Sequence, residues 1–88
     1  MSMPITGDQC RAARALVEMA QEDLMERAKL SRNTILHFEK GRRIPNPANL
    51  DAIRRVLEEA GVEFIPQDEK GPGVRLRCPV NERTPDAI

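Results

Sequence analysis

The segment from Gln21 to Arg43, QEDLMERAKLSRNTILHFEKGRR, gathers the side chains in this chain best suited to reading a nucleic acid. On a helix, Arg32 and Asn33 occupy the first turn and His37 follows Asn33 by one turn, so all three reach the outer face. A guanidinium bonds the O6 and N7 of guanine bidentately, and a carboxamide does the same to the N6 and N7 of adenine. His37 is placed for a neighbouring base or a phosphate. Leu36 also faces outward, where its methyls suit a thymine methyl. Arg42 and Arg43 follow directly and are positioned to neutralise flanking phosphates. Gln21, at the start of a preceding helix, adds a side-chain amide to the free backbone amides of a helix N-terminus, an arrangement that holds a phosphate oxygen. By composition alone, the same face reads equally well as a solvated helix surface.

Those groups need a scaffold, and hydrophobic periodicity supplies four helices. The first is expected from about Gly7 to Glu18 or Met19, with Ala13, Leu16, Val17 and Ala20 at i, i+3, i+4 and i+7. Thr6 is its N-cap and Gln9 completes a capping box. The second runs from near Gln21 to near Ala28, with Glu22 and Asp23 at the positive end of its dipole and Leu24 and Ala28 inward. Lys29 and Leu30 form the break, Leu30 as a buried plug. Ser31 caps the third helix, residues 31–40, through the amide of Asn33 or Thr34, while Ile35 and Phe38 face the core. Gly41 ends it in the left-handed position. Asn46 caps the fourth helix and Pro47 fills its first turn. Leu50, Ile53, Val56, Leu57 and Ala60 form its apolar stripe, and Gly61 stops it. The pattern then changes. Val62 to Ile65 reads as a strand, PQDEKGPG as a loop, and Val74 to Cys78 as a second strand alternating apolar and basic residues. Arg75 and Arg77 share one face of that hairpin, directed at solvent or, as the alternative, at the rim of a dimer. Pro79 to Ile88 lacks periodicity and is expected to fray. The fold expected is mainly α: a helix-turn-helix domain over residues 1–61, a β-hairpin over 62–78 and a flexible tail over 79–88.

Eighty-eight residues make one small domain. The formal net charge is zero, but its distribution is uneven. Residues 29–43 hold Lys29, Arg32, Lys40, Arg42 and Arg43 against Glu39 alone, whereas residues 18–26 hold Glu18, Glu22, Asp23 and Glu26 and no base. One surface is thus prepared for an anion. With two Phe, no Trp and no Tyr, base stacking on aromatic platforms is disfavoured. No apolar run is long enough for a membrane span, and no secretory signal opens the chain, so the cytoplasm is the expected location. Cys10 and Cys78 lack metal-ligand spacing, and with His37 the sole histidine no metal or other cofactor is expected. Both thiols are expected to pack as small apolar groups. Nothing suggests an enzyme: there is no Gly-rich phosphate loop, and His37 has no evident nucleophile partner.

Residues 6–60 resemble the lambda-repressor-like, XRE-type helix-turn-helix family of bacterial and phage regulators. The resemblance rests on RAAR in the first helix, QEDL opening the second, LSRNTI at the turn and third helix, FEKGRR at its close, and NPANL opening the fourth. It implies a four-helix core that binds double-stranded DNA. It assigns phosphate anchoring to Gln21 and base-facing positions to Arg32, Asn33 and His37, with Ser31 and Thr34 beside them. It also implies that Arg14 and Glu39 pair to lock the first helix to the end of the third. Met25 departs from the Ala usual in the family, and Lys29 from the Gly common in the turn, where positive φ strains any other residue.

A two-stranded hairpin alone is marginal in water and exposes an edge. Pairing of Val62, Phe64, Val74 and Leu76 with the same strands of a second copy answers both problems. The expectation is a two-fold homodimer presenting two third helices to half-sites of one operator. The competing expectation keeps the scaffold and changes the partner: a protein-interaction module, such as an antitoxin or an anti-activator. Zero net charge and the outward Leu36 leave it open.

Overall fold

A computed structural model describes residues 4–78 of the chain. The expected frayed tail at 79–88 lies outside the described residues. Four helices are followed by a hairpin: α1 (Gly7–Leu16), α2 (Gln21–Ala28), α3 (Arg32–Glu39), α4 (Pro47–Glu59), β1 (Val62–Ile65) and β2 (Gly73–Leu76).

Three of the helices start on side-chain caps. The Gln9 amide donates to Thr6 Oγ1 at 3.1 Å and the Thr6 amide to Gln9 Oε1 at 2.9 Å, a complete capping box on α1. Ser31 accepts from the Thr34 amide at 3.2 Å, and Asn46 from the Asn49 amide at 2.8 Å, with Pro47 in the first turn of α4. α1 ends at Leu16, earlier than periodicity suggests. Glu18 takes the left-handed region at φ 53°, which turns Met19 into the core. Arg14 stabilises that exit by donating from Nη1 to the Met19 carbonyl at 3.0 Å.

Leu24, Ile35, Ile53, Leu57 and Val62 are fully buried where α2, α3, α4 and β1 meet. Each contributes about 1.5–3 kcal/mol of apolar transfer energy. Gly7 lets the start of α1 lie against the Phe38 carbonyl and the Glu39 backbone at the end of α3.

The hairpin is docked rather than isolated. β1 and β2 pair antiparallel, Val62 with Leu76 and Phe64 with Val74. Val62 and Phe64 lie inside the chain's own core, and Val74 packs against it. Gln9 clamps the open end: its Nε2 donates to the carbonyls of Ile65 and Gly73 at 3.2 and 2.9 Å while its Oε1 completes the cap on α1. The Arg54 guanidinium lies 5.5 Å from the Phe64 ring centroid. Arg75 is exposed but not merely solvated: it donates to both carboxylate oxygens of Glu63 across the strands, at 3.1 and 3.2 Å. β2 ends at Leu76, two residues short of expectation, and Cys78 is exposed. That corrects the expectation of two packed thiols. Cys10 is buried, yet it too is more than a small apolar group, because it hydrogen-bonds Glu39.

Candidate nucleic-acid interface

α2 and α3 are joined by a turn of three residues. Lys29 adopts the left-handed conformation, φ 58° and ψ 46°, and this folds the Leu30 amide back onto the Met25 carbonyl at 3.0 Å. The strain expected at this non-glycine position is therefore present, and Lys29 points to solvent. Leu30 packs partly buried against the core, and Ser31 at once caps α3.

The chain buries one side of α3 and leaves the other open. Ile35, Phe38 and Glu39 are buried; Ser31, Arg32 and Asn33 are exposed; Thr34, Leu36 and His37 are half-exposed. Ser31, Asn33, Thr34 and His37 line one polar cleft of about 370 Å³ together with Arg43, Asn46 and Asn49. Arg32 and Arg42 stand outside that cleft and Gln21 stands apart from it. The amides of Arg42 and Arg43 both donate to the His37 carbonyl, at 2.9 and 3.4 Å, so the end of α3 fixes the start of the basic connector. Among the described residues no carboxylate pairs with Arg32, Arg42 or Arg43, whereas Arg11, Arg14, Arg54, Arg55 and Arg75 are each paired. Among the described residues Arg27 and Arg77 are also without an ion pair. Cations left uncompensated beside a helix of hydrogen-bonding side chains suit a polyanion.

α2 begins differently from its neighbours. Its N-cap is Ala20, which offers no side-chain acceptor, so the first amides of the helix remain open. Gln21 stands there half-buried, with Nε2 donating to Glu39 Oε1 at 2.9 Å. The amide group keeps its second N–H and its carbonyl oxygen for other partners.

Glu39 is the joint of the whole arrangement. Arg14 grips it bidentately, Nε to Oε2 and Nη2 to Oε1, both at 2.7 Å. Gln21 donates to Oε1, and Cys10 Sγ donates to Oε2 at 3.2 Å. One carboxylate thus ties α1 twice and α2 once to the end of α3. Its side chain is 3 % exposed. Burial raises its pKa, but hydrogen bonds from Arg14, Gln21 and Cys10 outweigh burial and hold it below the usual carboxylate value. The bond to Glu39 raises the Arg14 pKa, and burial, then the Glu39 charge, pushes the Cys10 thiol well up. Cys10 is therefore an unreactive donor, not a nucleophile.

Sequence reasoning missed Cys10 in this network, and Asn49 beside Asn33 and His37. Asn46 both caps α4 and lines the cleft. Asn49 carries a signal in hindsight: it is three residues after a cap that directly follows the basic connector. Cys10 carries none, because its partner is 29 residues away.

A family model described as helix-turn-helix matches residues 11–64, from α1 through most of β1. No curated protein matches the chain. No helix among the described residues is long and apolar enough to cross a membrane.

Proposed function

The chain belongs to the XRE-type, lambda-repressor-like helix-turn-helix family of DNA-binding regulators, and we propose that it is a cytoplasmic, sequence-specific transcriptional regulator binding double-stranded DNA as a two-fold dimer. The observation that carries this reading is the open face of α3. Arg32 and Asn33 stand exposed at its first turn, His37 follows, and Arg43 lies across the same cleft. In the major groove, Arg32 and Asn33 read base edges and His37 reaches a neighbouring base or phosphate. Ser31, Thr34, Arg42 and Arg43 hold the flanking backbone. Gln21 and the uncapped start of α2 grip a phosphate on the other side. A dimer sets two such helices about 34–36 Å apart, one turn of duplex.

A titration with salt tests this. Affinity for duplex DNA falls steeply with salt, and Arg42→Ala reduces the slope by about 1 for every sequence alike. Arg32→Ala costs about 1–3 kcal/mol on the cognate site and relaxes one base position. If neither substitution alters binding to any duplex, the reading fails.

One observation favours a second reading. Ile44 is 78 % exposed, at the rim of an apolar cleft of about 460 Å³ lined by Pro4, Ile5, Pro45, Pro47 and Leu50. Such a surface suits a protein partner, as an antitoxin or anti-activator requires.

A further inference from the structure

A two-stranded sheet has two outer edges, and among the described residues only one of them is covered. The Arg77 amide donates to the Gly61 carbonyl at 2.9 Å, and the register sets Glu63 opposite Arg75 and Ile65 opposite Gly73. In an antiparallel ladder, residues that exchange hydrogen bonds alternate with residues whose N–H and C=O point the other way. Glu63 and Ile65 therefore bond across to Arg75 and Gly73, while the backbone groups of Val62, Phe64, Val74 and Leu76 point out of the sheet. On β1 those groups are covered, since Val62 is 1 % and Phe64 6 % exposed. On β2, Val74 and Leu76 are half-buried, and no described residue bonds to their outward amides and carbonyls.

Resting on the dimer reading above, we propose that the open β2 edge is where a second copy of this chain docks. The product is a four-stranded antiparallel sheet, β1–β2 of one protomer continued by β2–β1 of its partner, with the two-fold axis beside Arg75. The edge is complementary to itself. Val74 exchanges hydrogen bonds with the partner's Leu76, and Leu76 with the partner's Val74. Moving the axis one pairing step toward the N-terminus sets Leu76 against Pro72, which has no N–H. Moving it one step the other way runs the pairs past Leu76, the end of β2. The half-buried apolar surfaces of Val74 and Leu76 lie on the core side, so pairing continues the core across the seam. On the outer face the two Arg75 side chains meet, but each guanidinium already holds its own Glu63, so the charges there are balanced. The dimer residues expected from sequence thus divide: Val62 and Phe64 build the protomer, while Val74 and Leu76 join two protomers.

Disulfide trapping in the full chain tests the edge. Arg75→Cys is made in a Cys78→Ser background, where Cys10 is buried and cannot compete. Facing residues of a non-hydrogen-bonded pair have Cα atoms about 4.5 Å apart, inside the roughly 4.4–6.8 Å span of a disulfide. Mild oxidation is expected to give a cross-linked species of twice the chain mass, whereas Glu63→Cys in the same background, one strand away from the seam, remains unlinked. Leu76→Pro removes an outward amide and leaves the bonds to β1 intact; sedimentation is expected to find it monomeric where the unmodified chain is dimeric. Trapping alters no backbone group, so it decides the matter if Leu76→Pro unfolds. An unmodified dimer with no trapping at position 75 overturns the edge while leaving the dimer, and moves the contact to another surface such as the Ile44 cleft. An unmodified chain that stays monomeric across the micromolar range overturns both.

Discussion

Replacing Glu39 by Gln measures how much of the molecule hangs on one carboxylate. Four donors converge on it: two from Arg14 and one each from Gln21 and Cys10. An amide offers one acceptor oxygen and turns an NH₂ toward the remaining donors. Arg14, whose side chain is 17 % exposed, is then left charged and half-partnered. Breaking a buried pair from one side costs about 3–5 kcal/mol. Total stability for a domain of this kind is about 5–15 kcal/mol, so the loss is a large share. At about 4–8 °C per kcal/mol, the midpoint falls by roughly 12–40 °C. Thermal and urea unfolding followed by circular dichroism at pH 7 read this directly. The double variant Arg14→Met with Glu39→Leu removes both charges and is expected to lose less than Glu39→Gln. The acid limb supplies a second readout. The folded-state pKa of Glu39 lies below its unfolded value, so its stabilisation is complete above an unfolded pKa of about 4.3 and disappears as pH falls through the lower folded value. Glu39→Gln should flatten that limb. A loss below about 1 kcal/mol with an unchanged acid limb would refute the reasoning, because the carboxylate would then not be what joins α1, α2 and α3.

Other substitutions probe the scaffold separately. Gly7→Ala drives a Cβ into the Phe38 carbonyl at the α1–α3 contact, and calorimetry should show a loss of about 1–3 kcal/mol despite the better helix propensity of Ala. Lys29→Gly relieves a left-handed lysine whose side chain is exposed, and urea unfolding should show a gain of a few tenths to about 1 kcal/mol. With a thiol reagent, the folded chain should consume one equivalent at Cys78; Cys10 should react only on unfolding.

Much of the scaffold was legible because its signals are local. Thr6 with Gln9, Ser31, and Asn46 with Pro47 mark helix starts through bonds that span three residues. Gly41 and Gly61 adopt the positive φ that ends α3 and α4. Periodicity misled at the end of α1, since Val17 and Ala20 continue the apolar stripe although the helix itself stops at Leu16 and the chain turns at Glu18. It also extended β2 to Cys78, because alternation in sequence cannot show where the partner strand stops. The proposed interface is legible as a set of residue types on α3, but the side-chain network that supports it is not. Gln9 reaches residues 56 and 64 positions away, and a pattern of faces cannot name partners at that separation. Arg14 and Glu39 came from family resemblance; no spacing in this chain relates α1 to the end of α3.

Selection from a random duplex library at modest ionic strength tests most directly whether the outer face of α3 distinguishes base pairs. The unaltered protein is expected to enrich one motif, repeated with two-fold symmetry about one helical turn apart. Arg32→Ala is expected to enrich the same motif with a single position in each half-site degenerate. Recovery of no motif by the unaltered protein, or of an identical motif at equal strength by Arg32→Ala, would contradict the role given to that helix.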